Sequence, residues 1–195
     1  MRIDVMVDLE TLGTESNATI FQIAAMGFDI KTGEIGSEFN KIADISTNES
    51  YDMQVSGSTL KWWLSNTEKR ETLGRLMDQG EGSSTELLTN FRKWLQGLGA
   101  IGDVYLWGNG INFDNRLLLE QMGDDYPINF RRERDVRTIV DLACERLKTT
   151  EKQLRTQLYD NSPAHDAFND VRNQVKLVTA CYEVLMKNDH EMVRK

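Results

Sequence analysis

One stretch constrains the chain more than any other: Val5-Met6-Val7-Asp8-Leu9-Glu10-Thr11-Leu12-Gly13. Ile3, Val5 and Val7 are β-branched and suit a buried strand. The apolar run ends in two carboxylates and then in a turn. Side chains two apart on a strand share a face, so Asp8 and Glu10 point the same way at its end. Burying two carboxylates side by side is costly unless a positive charge compensates. A hard divalent cation, Mg²⁺ or Mn²⁺, is the simplest compensator, because it prefers carboxylate oxygen. An exposed acidic strand end is the other reading, and the spacing alone fits both equally.

The chain has 195 residues, enough for one domain with a real core. We expect a single domain over 1–195 with a frayed tail at about 188–195, and no internal repeat or low-complexity tract. Apolar content of 39% and charged content of 28% suit a soluble globular protein. No apolar stretch approaches a membrane span, and the N-terminus lacks the features of a signal peptide. Cys144 and Cys181 match no zinc or redox spacing and read as small buried hydrophobes in a reducing compartment. The expected setting is the cytoplasm of a bacterium or of a phage-infected host, with no membrane partner; a homodimer is left open. A net charge of −8 argues against a broad basic clamp on nucleic acid. It leaves room for a nuclease whose site carboxylates are neutralised by metal. Arg131, Arg132, Arg134 and Arg137 form a basic cluster, either a phosphate contact or a solvated face.

Residues 2–8, 20–29 and 35–42 read as three strands joined by tight turns, an antiparallel start to a sheet. Residues 44–57 read as loop. Ser58 is expected to cap a short helix to Leu64, and residues 67–78 to form another. Ser83 and Glu86 make a capping box that opens a helix to about Gly97, with Leu87, Phe91, Trp94 and Leu98 facing the core. Residues 103–107 form a compact strand. Asn112 is expected to cap a helix to Gly123, and Asp135 a helix with Val136, Val140 and Ala143 inward. Residues 151–158 add a turn or two. The last helix begins near Pro163 to His165, with Phe168, Val171, Val175, Val178, Tyr182 and Leu185 as its apolar stripe. This order predicts an α/β fold, a central mixed sheet of antiparallel and then parallel strands flanked by helices.

Two further carboxylates can reach the strand end. Asp114 falls in the first turn of its helix, where amides and the macrodipole favour a charged carboxylate; it serves either a site or merely the cap. Asp170 lies on the flank of the last helix's apolar stripe. His165 is five residues earlier, and both in one helix would stand about 140° apart. They converge more easily if His165 lies in the loop before the helix, which Pro163 favours. Only two histidines occur, and His190 lies in the tail, so His165 is the one serious imidazole candidate. Asp166 beside it belongs to no expected ligand set. Asp8, Glu10, Asp114 and Asp170 with His165 suit two-metal hydrolysis of a phosphodiester.

At these residues the chain resembles the DEDDh 3′–5′ exonucleases of the ribonuclease H-like fold. Asp8-Leu9-Glu10-Thr11, Asn112-Phe113-Asp114 and His165-Asp166-Ala167-Phe168-Asn169-Asp170 look like that family's three motifs. The resemblance runs from residue 3 to about 185. It is strongest to the exonuclease A of T-even phages and to related phage and mycobacterial exonucleases. Ser58-Thr59-Leu60-Lys61-Trp62-Trp63, Trp107-Gly108-Asn109-Gly110 and Arg134-Asp135-Val136-Arg137-Thr138 carry that closer match.

The resemblance implies two Mg²⁺ (or Mn²⁺) ions. Asp8 would bridge them, Glu10 and Asp170 would hold the first, Asp114 would support the second, and His165 would be the general base. It places Thr11, Leu12, Gly13, Trp63, Asn109 and Phe113 at the substrate; Leu12 with Phe113 beside it either wedges against the terminal base or is ordinary core packing. Of Trp62 and Trp63, one is expected buried and one half-exposed, since a helix cannot bury adjacent residues on one face. Asp135 and Arg137 can form a structural pair. The implied activity is release of 5′-mononucleotides from the 3′ end of single-stranded nucleic acid, DNA set ahead of RNA. The rivals are a non-catalytic module that binds nucleic acid or a host protein, and an endonuclease or integrase of the same broad fold.

Overall fold

The computed structural model describes residues 2–48, 53–160 and 162–187. Five strands form one sheet: β1 (Ile3–Thr11), β2 (Ile20–Phe28), β3 (Ile35–Ile42), β4 (Val104–Gly108) and β5 (Glu133–Asp135). Their order is β3-β2-β1-β4-β5. β1–β2 and β2–β3 are antiparallel, whereas β1–β4 and β4–β5 are parallel. Seven helices accompany the described strands: α1 (Gly57–Trp63), α2 (Thr67–Met77), α3 (Ser84–Gly97), α4 (Asp114–Met122), α5 (Val136–Leu147), α6 (Glu151–Leu158) and α7 (Ala167–Met186).

The alternation of β1 divides the core. Val5, Val7 and Leu9 face a cluster completed by Leu87, Phe91 and Leu95 of α3 and Leu117 and Leu118 of α4. Met6 faces the other side, with Val136 and Val140 of α5, Leu154 of α6 and Val171, Val175 and Val178 of α7. Full burial of such a side chain stabilises by about 1.5–3 kcal/mol, so a one-residue slip of β1 would be costly. A third cluster, Leu12, Phe21, Trp63 and Leu76, seats α1 and α2 beside the end of β1.

Local signals account for most helix starts. Ser83 with Glu86 and Thr150 with Gln153 form capping boxes, and Asp135 accepts from the Arg137 amide at the start of α5. Two expected caps are corrected. Ser56, not Ser58, occupies the N-cap of α1, where Ser58 bonds the Ser56 hydroxyl at 2.8 Å. Asn112 does not cap α4, which opens at Asp114 after Phe113 without a side-chain cap. β5 was not expected at all. Within residues 44–57, Ile45–Thr47 forms a 3-10 turn capped by Asp44; residues 49–52 and the tail from 188 lie outside the described residues. Among the described residues, no helix is long and apolar enough to cross a membrane.

Candidate active site

The face of β1 that carries Met6 also carries Asp4, Asp8 and Glu10, since these alternate with Val5, Val7 and Leu9. α7 packs over that face and brings Asp170 in its first turn. One carboxylate oxygen from each of Asp8, Glu10 and Asp170 lies within 4.8 Å of the others. One turn along α7, Gln174 donates Nε2 to Asp8 Oδ1 at 2.8 Å. Glu10 Oε1 and Gln174 Oε1 are buried and have no hydrogen-bond partner among the described residues. Asp114 is 4% exposed at the start of α4, and the nearby backbone amides of Leu9 and of Asp114 itself favour its charged form.

Gly108, the last residue of β4, lets α4 come this close. A Cβ there would stand 2.7 Å from Asn115 Oδ1 and 3.6 Å from Asp114 Cβ. Gly110 has φ +110, and a Cβ on it would meet the Arg137 guanidinium at 3.0–3.2 Å. Arg137 therefore lies against this turn and not on Asp135; that expected pair is a capping bond from the Arg137 backbone amide. The other arginines of the basic cluster point elsewhere. Arg132 and Arg134 lie over the Tyr105 ring and Arg131 over Phe130.

Burial first, and then repulsion between neighbouring carboxylates, raises the carboxyl pKa values. Asp8 is pushed well up by burial and by repulsion from Asp114, Glu10 and Asp170. Glu10 is pushed well up by burial, Asp170 and Asp114. Burial raises Asp114 to about 7 against the pull of its amide donors, and raises Asp170 to about 6 against the His165 amide.

His165 lies in the loop before α7, at φ +63. Its backbone N–H donates to Asp170 Oδ2 at 3.1 Å. Its imidazole meets the Trp62 ring edge-on, centroids 4.7 Å apart at 76°. Burial, then Lys69, lowers its pKa, with Glu68 opposing.

Two cavities meet here. A cleft of about 500 Å³ is lined by Asp8, Glu10, Asp114, His165 and Asp170, together with Asn109. A second, of about 390 Å³, runs past Thr11, Gly13, Thr59 and Trp62, and shares Leu9, Glu10 and Phe113 with the first. Two of the expected substrate contacts are deeply buried. Leu12 is 4% exposed and packs against Phe21, Trp63 and Leu76, the core-packing reading of its place. Trp63 is 1% exposed, donates Nε1 to the Thr11 carbonyl at 3.0 Å, and reaches the wall of the second cavity. Trp62, 40% exposed, is the half-exposed partner.

Sequence reading missed Gln174 and the ties around Asp166. Asp166 caps α7, is 7% exposed, and accepts from Gln22 Nε2 at 3.1 Å and Arg75 Nη2 at 2.7 Å. A glutamine four residues after Asp170 on one helix face was the available signal for Gln174. Nothing local marks the Arg75–Asp166 contact, which joins residues 91 apart.

A profile of the 3′–5′ exoribonuclease Rv2179c-like domain matches residues 3–182. The chain belongs to this family. No curated protein matches it in sequence. Among solved structures, it is similar to cell-death related nuclease 4, with TM-score 0.64 and 16% identity over 93% of this chain and 64% of that one. It is similar to the nuclease domain of 3′hExo, a DEDDh family member bound to rAMP, with TM-score 0.59 and 16% identity over 93% and 92%. It is also similar to E. coli Exonuclease I in complex with a dA16 oligonucleotide, with TM-score 0.60 and 17% identity over 99% and 45%. The chain thus spans less than two thirds of the first and under half of the last. The shared mixed sheet and flanking helices are those of the ribonuclease H-like exonucleases.

Proposed function

We propose that this chain is a divalent-metal-dependent 3′–5′ exonuclease that hydrolyses single-stranded nucleic acid to 5′-mononucleotides. The observation that carries the proposal is the convergence of Asp8, Glu10 and Asp170 within 4.8 Å in a cleft that Asp114 and His165 also line. Three carboxylates so close, with Glu10 Oε1 unpartnered, fit hard cations and little else. Asp8, Glu10 and Asp170 would hold one ion, and Asp8 with Asp114 a second. Bound Mg²⁺ or Mn²⁺ would supply charge neutralisation, activation of water and stabilisation of the leaving oxygen.

The chain's own residues do the rest. Gln174 orients Asp8 through its amide. His165, held neutral by its lowered pKa, accepts the proton of the attacking water. Phe113 stands where the two cavities meet, so a 3′-terminal nucleoside in the smaller one leaves its phosphodiester at the carboxylates. Thr11 and Gly13 line that nucleoside pocket and Asn109 lines the carboxylate cleft. The half-exposed Trp62 offers an aromatic edge to a base.

The family description supports RNA, and the sequence reading set DNA ahead; the proposal is for single-stranded nucleic acid as a class. The intact set of five residues counts against the non-catalytic rival. A particular likeness to the exonuclease A of T-even phages and a cytoplasmic setting complete the proposal, which leaves a homodimer open. Labelled single-stranded DNA and RNA, digested in parallel with and without Mn²⁺, test it. Expected is metal-dependent shortening from the 3′ end, stopped by a 3′-phosphate. Cleavage of closed circles, or full degradation in excess chelator, overturns it.

A further inference from the structure

His165 sits in the left-handed region, where a residue with a Cβ stays only if its surroundings over-determine it. Two sets of contacts do this. The His165 amide is tied to Asp170. The next residue, Asp166, is tied on three sides. Its Oδ1 accepts from Gln22 Nε2 at 3.1 Å and from the Phe168 amide at 3.1 Å. Its Oδ2 accepts from Arg75 Nη2 at 2.7 Å. Gln22 returns the favour to the loop by accepting from the Ala167 amide at 3.2 Å.

Arg75 differs from the other partners in origin. Gln22 belongs to β2 and Phe168 to α7, both part of the sheet-and-helix frame. Arg75 belongs to α2, which is seated on the frame by Leu76 in the third core cluster. The same pair of helices carries Trp62, whose ring packs on the His165 imidazole. Lys69, also of α2, lies over the Trp62 ring, 3.8 Å from its centroid. The helix pair therefore grips the histidine loop twice, by an ion pair to Asp166 and by an aromatic contact to His165. Without Arg75, Asp166 Oδ2 loses its partner among the described residues, and its charge is left beside Glu10 and Asp170.

We propose that Arg75 is a positioning residue for His165, acting from α2 through Asp166 to hold the imidazole over the carboxylate cleft. The inference rests on the reading of His165 as general base, and the tests separate the two.

Position is read without activity. The chain has two histidines, so a carbon–proton correlation spectrum of the metal-free protein gives one Cε1–Hε1 signal for His165 and one for His190. The Trp62 ring current should displace the His165 signal, and Trp62→Ala should identify it. In Arg75→Ala that signal should move toward the shift of a free imidazole or broaden, while Arg75→Lys should largely restore it. An unmoved signal in Arg75→Ala overturns the proposal.

Catalysis is read by a double-mutant cycle under saturating Mn²⁺ on a 5′-labelled single-stranded oligonucleotide. Arg75→Ala should lower the single-turnover rate by about 10–100-fold, the scale of a misplaced catalytic group. KM and calorimetric Mn²⁺ affinity should stay within about threefold. In the His165→Ala background the same substitution should cost no more than about twofold. Equal losses in both backgrounds, or a parallel loss of Mn²⁺ affinity, overturn the positioning role. If His165→Ala alone is near wild type, the base reading falls and this inference with it. Should Arg75→Ala melt below the assay temperature, Arg75→Gln, which keeps a donor without the charge, takes its place with the same criteria.

Discussion

Gln174 donates its side-chain amide to Asp8 at 2.8 Å, from one helical turn beyond Asp170. A single face of α7 thus supplies both a carboxylate and the group that orients its neighbour across the sheet. Gln174 is 3% exposed, and a hydrogen bond to a charged group contributes about 1.5–3 kcal/mol. Gln174→Ala should therefore lose about that much stability in the metal-bound protein, measured by denaturant titration, and turnover should fall with it. Wild-type turnover would show that Asp8 needs no orienting partner.

Asp8→Asn should abolish turnover while keeping the fold. It removes charge but little volume from a site where Asp8, Glu10, Asp114 and Asp170 repel one another. The metal-free variant should melt no lower than wild type. Asp166 is unsuited as the matched control, because its carboxylate is a buried tie between Gln22 and Arg75. The exposed Asp124 serves instead. Similar losses in Asp8→Asn and Asp124→Asn would mean that the wrong carboxylates are assigned.

Metal-free stability should fall as pH rises from about 4 to 7. Asp114 is raised to about 7 and Asp170 to about 6, with Asp8 and Glu10 also raised. Across that window the folded protein binds more protons than the unfolded chain, so each unit of pH lowers the unfolding free energy. Added Mn²⁺ should restore stability most at the alkaline end. The check is melting temperature against pH with and without metal; a metal-free curve that rises through this window contradicts the burial of these carboxyls.

The rate should have an acidic limb that depends on His165. Burial and Lys69 lower its pKa, so the neutral form prevails at pH 7 and is lost only below the ordinary value of about 6.5. His165→Ala should flatten that limb and lower turnover by roughly 10²–10⁴-fold. Single-turnover rates against pH, with metal occupancy measured separately, decide this.

Gly108→Ala and Gly110→Ala should separate activity from stability. At Gly108 the new Cβ would press on Asn115 beside Asp114, so turnover should fall more than stability. At Gly110 a Cβ at φ +110 is strained by about 1–3 kcal/mol whatever the space, so stability should fall first. Melting curves and turnover measured on both variants test the contrast.

The sequence by itself determined the features that repeat or cap. Period-two alternation put Asp8 and Glu10 on one face of β1 and Val5, Val7 and Leu9 on the other. Spacing of three and four set the inward stripe of α7, and Pro163 favoured His165 ahead of that helix, which starts at Ala167 and not at the expected 163–165. Capping chemistry located the start of α3. These are local effects, written within a few residues, so they are legible without the fold.

Tertiary structure decided what depends on neighbours far along the chain. β5 is three residues, Glu133–Asp135, and is a strand only because β4 offers it a free edge. Ser58 and Asn112 looked like caps, yet the helix starts fell elsewhere. Adjacent Trp62 and Trp63 are equivalent in composition; the cluster of Leu12, Phe21 and Leu76 buried one, and took Leu12 with it. Asp166 looked like a bystander until β2 and α2 closed on it from 144 and 91 residues away. Even the carboxylates were only a list along the chain. Their meeting depends on α7 crossing the acidic face of β1, which buried apolar packing enforces and no local pattern records.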